Sequence, residues 1–299
     1  MQQITNDQNP TLCQLRRIQF FFLFLLLIFV QPTFLCAADF TSKLKGITIT
    51  DQTGKNKPPT AVITYTQDGS TFTFDGGGSS DSDGSIAQYK WNFGDGGTAT
   101  TAVTQHQFLT PGEAANVSLN TIDDKGAAAL SQVFFVVPVI YEDAEDDTLG
   151  RWSIYGDIPP GVVITNVFDE ERQSRVINFS GTGNNGFSLR KENGIAWNNT
   201  KNFVIQWSFK YSLDYTIYVD CKTSSGHRWL KYTFADINKL GTGESVEHGL
   251  GLSTKDGKWH TIIRNLQVDL NDAQPGATIL SVDGVNIRGA GRWDDIMLK

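Results

Sequence analysis

Through most of this chain apolar residues recur at every second position, and almost nowhere at the three-and-four spacing of an amphipathic helix. Thr71-Phe72-Thr73-Phe74-Asp75 alternates, and so does Tyr89-Lys90-Trp91-Asn92-Phe93. Val117-Ser118-Leu119 and Val133-Phe134-Phe135-Val136-Val137 follow. Between these runs stand Gly76-Gly77-Gly78, Gly94-Asp95-Gly96-Gly97, Pro111-Gly112 and Asp124-Lys125-Gly126. They are turn formers, because glycine tolerates positive φ and Asp accepts hydrogen bonds from backbone two residues on. Short alternating strands at this spacing predict a β-sandwich of about 80 residues, closed by Pro138. Trp91 and Phe93 share one face, and rings of that size belong inside.

A second, larger region runs from 139 to 299 and is richer in aromatics. In residues 203–211 the odd positions are apolar and the even ones mostly polar, so the odd face is buried. Residues 215–222 repeat this, which puts Cys221 inside as a small hydrophobe. In residues 227–234 the apolar set is Leu230, Tyr232 and Phe234. Three successive strands therefore bury one face and leave a second bearing Gln206, Lys210, Tyr218, Asp220, Lys222, Trp229 and Lys231. Residues 259–266 form a further strand, with Arg264 opposite Trp259 and Ile263 as an added polar contact. The expected fold class is all-β throughout.

The amino terminus has a different texture. Arg16 and Arg17 precede an apolar run over 18–30, interrupted by Gln19, and then come Pro32 and Cys36-Ala37-Ala38. The run holds about 13 residues, against the roughly 20 that a spanning helix needs. It reads as a signal peptide over 1–38, cut after Ala38, with no membrane span after cleavage and a secreted, extracellular product. Residues 39–56 are polar and read as a leader or linker. Cleavage leaves Cys221 as the single cysteine, so no intrachain disulfide forms.

Charge and composition narrow the function classes. The 25 Lys and Arg against 32 Asp and Glu give a net charge of −7, which argues against nucleic acid as the partner. No Gly-x-Ser-x-Gly elbow and no His/Cys set with zinc spacing is present, and the four histidines are scattered. The acidic clusters at 142–147 and 169–171 look like loops or edges, not a facing pair of carboxylates. No catalytic residue is assigned. An enzymatic alternative, a polysaccharide lyase or hydrolase, would use Tyr218, His227 and Lys231.

Two resemblances add to this reading. Ser79-Ser80-Asp81-Ser82-Asp83-Gly84, Tyr89-Lys90-Trp91-Asn92-Phe93-Gly94-Asp95-Gly96, His106-Gln107-Phe108 with Pro111-Gly112, and Asp123-Asp124-Lys125-Gly126 resemble the PKD domain over about 57–138. Asn92 stands where the family usually has Asp, and Ala114-Ala115 where it has an aromatic. The resemblance implies an immunoglobulin-like sandwich and brings the loops of Asp81, Asp83, Asp123 and Asp124 together near Asn56. Such carboxylates suit Ca²⁺, or else make Asx turns only.

In the second region, Tyr141-Glu142-Asp143 near the start and Arg292-Trp293-Asp294-Asp295-Ile296 near the end resemble the β-jelly-roll modules of the carbohydrate-binding and concanavalin-like class. There the terminal acids commonly hold a structural Ca²⁺; here they would be Glu142 and Asp295, then Asp294 and Asp143. The outward Tyr218 and Trp229 among amide, carboxylate and ammonium groups fit a sugar, whose C–H face stacks on a ring while its hydroxyls pair with polar groups. The expectation is a secreted, non-catalytic protein that binds polysaccharide or a cell-surface glycan, with the PKD domain as spacer. A surface adhesion or matrix protein with protein partners is the third reading.

Overall fold

The computed structural model describes residues 55–156, 160–181 and 185–299; the signal peptide and most of the leader expected before them lie outside the described residues. The first alternating stretch folds into seven strands. They are β1 (Thr64–Asp68), β2 (Thr71–Asp75), β3 (Ile86–Asn92), β4 (Thr98–Ala99), β5 (Val103–Gln107), β6 (Ala114–Asp123) and β7 (Ala128–Val136). One sheet has the order β1-β2-β5 and the other β4-β3-β6-β7. Their inward residues, among them Phe72, Phe74, Trp91, Phe93, Val117 and Leu119, form one core. The Trp91 indole donates to Thr101 O at 2.8 Å, so its polar edge is satisfied inside.

The chain passes through Pro138 into a second sandwich. Its strands are β8 (Val139–Glu142), β9 (Trp152–Tyr155), β10 (Val163–Asp169), β11 (Ser174–Ser180), β12 (Gly186–Leu189) and β13 (Val204–Lys210). Then come β14 (Thr216–Thr223), β15 (Gly226–Thr233), β16 (Ser245–Gly249), β17 (Trp259–Asn265), β18 (Ile279–Arg288) and β19 (Gly291–Leu298). One sheet runs β10-β11-β19-β13-β17, with β8 also on β19; the other runs β16-β15-β14-β18-β12-β9. Pairing is antiparallel except between β15 and β16. The facing rings of Trp207, Phe209, Tyr232 and Trp293 are buried between the sheets. Cys221 is buried among them, and that burial pushes its thiol pKa up.

Two features depart from the sequence expectations. The strand expected over 259–266 ends at Asn265, whose side chain accepts from Val268 N at 3.1 Å and caps a helix, α1 (Leu266–Ala273). The helix buries Leu266, Asp269 and Leu270. More consequentially, β13 does not lie beside β14. It pairs with β17 and β19 in the opposite sheet. Gln206 and Lys210 therefore stand on the far outer surface, across the sandwich from Tyr218 and Trp229. Alternation states which side chains share a face of a strand, but not which sheet the strand joins.

The two sandwiches touch. Asn202 Nδ2 donates to Gly112 O at 3.2 Å, and Lys201 Nζ pairs with Glu113 Oε1 at 2.5 Å. No helix among the described residues is long and apolar enough to cross a membrane.

Candidate functional site

The outer face of the sheet β16-β15-β14-β18-β12-β9 carries an unusual set of side chains. Register assembles it from five strands. Tyr155 on β9 stands opposite Gly186 on β12, which stands opposite Arg288 on β18. Asn286 is opposite Ser188 on one side and Tyr218 on the other, and Tyr218 is opposite Lys231. Asp220 is opposite Trp229. Tyr155, Tyr218, Trp229, Asn286 and Arg288 line a concave pocket of about 230 Å³.

Among the described residues, the aromatic walls are held without being covered. The Tyr218 and Trp229 rings meet edge to face at 5.9 Å and 81°. His227 packs against the other side of Trp229 at 4.8 Å and 78°. These contacts fix the indole while leaving it half-exposed. Tyr155 lies over bare backbone, because a Cβ on Gly186 would come within 2.4 Å of its ring. Glycine inside a strand is the residue that permits this approach. Burial raises the Tyr155 pKa, with Arg288 opposing, so the phenol stays a neutral donor.

Behind the rings, charges are paired. Asp220 accepts from Arg190 Nη2 at 2.9 Å and bonds His227 Nε2 at 2.9 Å. Arg190 reaches it by crossing Gly284, where a Cβ would sit 2.1 Å from Nη1. Desolvation lowers the Arg190 pKa, partly offset by Asp220. Lys231 Nζ donates to Glu247 Oε2 at 2.8 Å. Burial alone would raise the Glu247 pKa, but Lys231 and Lys239 hold it below the usual value. Lys222, at the margin, pairs with Asp283 at 3.1 Å.

Of the residues expected to bind a ligand, Tyr218, Asp220, Lys222, Trp229 and Lys231 thus share this face. Gln206 and Arg264 do not. Gln206 accepts from Lys299 Nζ at 3.1 Å on the opposite sheet. Arg264 turns toward the core, where its Nε and Nη2 bond the buried Asp269 at 2.9 and 2.5 Å. Tyr155, Asn286, Arg288 and Arg190 were not among the sequence expectations. Their signal was present: Val285 and Ile287 alternate with Asn286 and Arg288, and two glycines interrupt strand patterns at 186 and 284.

The acids expected to hold Ca²⁺ fall into two different situations. In the second sandwich, Glu142 accepts from Trp152 Nε1 at 2.5 Å, Ala144 N at 2.9 Å and Arg151 Nη2 at 3.1 Å. Asp294 and Asp295 are clamped by Arg172, at 2.8 and 2.5 Å. Burial and the neighbouring Asp295 push the Asp294 pKa up to about 8, with Arg172 opposing. Asp143 accepts weakly from Glu145 N at 3.4 Å. Arg151 and Arg172 thus pair with three of these four acids. Among the described residues, the one group of three acids and histidines whose ligand atoms lie within 4.8 Å of each other is His248, Asp269 and Asp272. Its Asp269 carboxylate is already taken by Arg264 and Tyr232.

In the first sandwich the loops do approach each other. Asp123 accepts from Asn56 Nδ2 at 2.8 Å and from Lys125 N and Ala127 N at 2.9 and 2.8 Å. Burial works against its charge, yet these donors hold its pKa below the usual value. Asp83 lies 3.3 Å from Lys57 N and 3.5 Å from Lys125 Nζ. Asp81 and Asp124 converge over Gly84, where a Cβ would meet Oδ2 of one and Oδ1 of the other at 2.5 and 2.4 Å. Two buried acceptors there, Asn56 Oδ1 and Asp81 Oδ2, have no partner. Orphaned buried oxygens amid carboxylates fit a hard divalent cation.

Comparison with known proteins agrees with this two-part architecture. Residues 56–137 match the PKD domain family, and residues 173–278 match the family described as D-glucuronyl C5-epimerase, β-sandwich domain. The chain thus contains a PKD domain followed by a β-sandwich domain. A microbial collagenase of Vibrio alginolyticus is 35% identical over 88 residues, 28% of this chain and 11% of that protein. That similarity is confined to the PKD region. The PKD1 domain of the Vibrio cholerae metalloprotease PrtV is 33% identical, with a TM-score of 0.26, over 27% of this chain and 98% of that one. A carbohydrate-binding module of the β-sandwich superfamily is 20% identical, with a TM-score of 0.42, over 82% of this chain and 100% of that one.

Proposed function

We propose that this is an exported, non-catalytic polysaccharide-binding protein, in which the PKD domain is a spacer and the second sandwich holds a sugar in the Tyr155–Tyr218–Trp229 pocket. The observation that carries the reading is the pocket itself: three half-buried rings, held edge-on, beside the amide of Asn286 and the guanidinium of Arg288. A sugar ring presents C–H faces to such rings and hydroxyls to such polar groups. The match of residues 173–278 to a family named for a D-glucuronyl enzyme supports a carbohydrate as the partner. Affinity electrophoresis against a panel of polysaccharides tests it: at least one polymer retards the native protein, and Trp229→Ala loses the retardation. A reducing-end assay on the same mixtures separates the alternatives. New chain ends would replace binding by catalysis, while retention of no polymer would favour a protein partner.

Ca²⁺ is proposed for the first sandwich, with Asn56, Asp81, Asp83, Asp123 and Asp124 supplying oxygens. There it would join two loops and stiffen the entry to the domain. Adding EDTA is expected to lower the melting temperature of the PKD domain; an unchanged value removes the ion from the account. Export is proposed from residues 1–38, and mass spectrometry of secreted protein is expected to find a start at Asp39.

A further inference from the structure

The pocket has one corner whose charge a neutral sugar leaves unbalanced. The other arginines among the described residues are spoken for: Arg151, Arg172, Arg175, Arg190, Arg264 and Arg292 each pair with a carboxylate. Arg228 donates to the Gln274 amide at 2.7 Å. Among the described residues Arg288 forms no salt bridge, although the chain has a net charge of −7 and offers carboxylates freely. It is exposed and lines the pocket. Its Cζ lies 5.9 Å from the Tyr155 ring centroid, which holds the side chain without neutralising it. Its register neighbours on either side are Gly186 and Thr216, and neither brings a negative charge.

Arg288 is the charged residue among those lining the pocket, and the charged groups beside it have partners. Lys231 is matched by Glu247, and Arg190 by Asp220. Arg288 therefore gives the cavity its uncompensated positive charge. Two positions along the same face of β18, Asn286 turns its Oδ1 to the Ser188 hydroxyl at 2.7 Å. That leaves its amide nitrogen as a donor on a residue that lines the pocket. The corner thus consists of a planar guanidinium fork and an amide NH₂, both donors. A sugar hydroxyl can accept from this corner, but it leaves the guanidinium charge unbalanced. A carboxylate accepts only, and its two oxygens match the fork of one arginine.

Building on the glycan reading, we infer that the pocket selects an acidic sugar: a uronic acid unit whose carboxylate sits on Arg288 and Asn286 while its ring stacks on the aromatic wall. A single guanidinium suits one ring carboxylate per bound unit. Densely sulfated polymers are recognised by several unpaired cations, and here the other cations are matched.

The test uses the full chain and three polymers: a polyuronate, the same polyuronate with its carboxyl groups chemically reduced to alcohols, and a sulfated galactan. Native protein is expected to bind the polyuronate at least about tenfold more tightly than the reduced polymer. Arg288→Gln is expected to lose about that factor for the polyuronate and clearly less for the reduced polymer, so that the preference between the two collapses, with an unchanged melting temperature because the side chain is exposed. Arg288→Lys is expected to recover part of it, since it keeps the charge and loses the fork. Equal binding of the native and reduced polymers, preference for the sulfated galactan, or an Arg288→Gln variant with native affinity would each overturn the acidic selectivity. The underlying pocket fails separately, when no polymer is retained or when Trp229→Ala binds like the native protein.

Discussion

In the PKD sandwich most aromatic side chains are spent on the core, Tyr65 and Phe134 being the exposed ones. Trp91 is 2% exposed, its indole N–H is closed by a backbone carbonyl, and Phe72, Phe74 and Phe93 pack around it. In the second sandwich the rings are divided. Trp207, Trp293 and Tyr232 fill the space between the sheets, while Tyr155, Tyr218 and Trp229 stand outside on one of them. Both domains obey the same alternation rule, so alternation alone does not separate scaffold from site. What separates them is support. The outer rings are braced by His227, by the bare backbone of Gly186 and by one another, and among the described residues no strand roofs them. The acids differ in the same way. In the PKD domain buried oxygens are left without donors, whereas in the second sandwich arginines claim them.

The largest effect that would break this contrast is Trp91→Ala. Removing a fully buried indole should cost about 3–5 kcal/mol of PKD-domain stability, read by chemical denaturation. Polysaccharide affinity should not move, and a loss of affinity without unfolding would mean that the spacer contributes to the site. A smaller effect is expected from Gly186→Ala. The new methyl collides with the Tyr155 ring, which must swing off the strand. Affinity should fall roughly threefold to tenfold, the value of one aromatic contact. The melting temperature should change little, because the ring moves into solvent.

The smallest effect concerns acid. Burial pushes the Asp169 pKa up, but Arg292 and the backbone N–H groups of Arg172 and Glu171 outweigh it and hold it below the ordinary carboxylate value. A depressed carboxylate stabilises the folded state above its unfolded pKa, and that contribution is lost as pH falls through the folded value. Asp169→Asn should therefore be less stable than the native protein at neutral pH. The two denaturation midpoints should converge in strong acid, and a gap that persists there would assign the loss to packing instead.

Much of this was legible beforehand where the information is local. The PKD motifs lie close together in the chain, and each constrains its own turn. The hairpin of β14 and β15 is short, so Tyr218, Asp220, Trp229 and Lys231 were correctly grouped from alternation. The other half of the pocket comes from β9, β12 and β18, and Tyr155 meets Arg288 only through the pairing of strands distant in sequence. That pairing is set by long-range packing, which the local pattern does not encode. The same gap misplaced Gln206, and Arg264 was drawn inward by Asp269 on a helix whose only advance notice was the Asn265 cap.

The central claim is that the open aromatic face binds a glycan. Isothermal titration of the native chain and Trp229→Ala against a polysaccharide that retards the native protein tests it most directly. The account predicts saturable binding for the native protein and at least about a tenfold loss for the variant at an unchanged melting temperature. Equal affinity of the two proteins would contradict it.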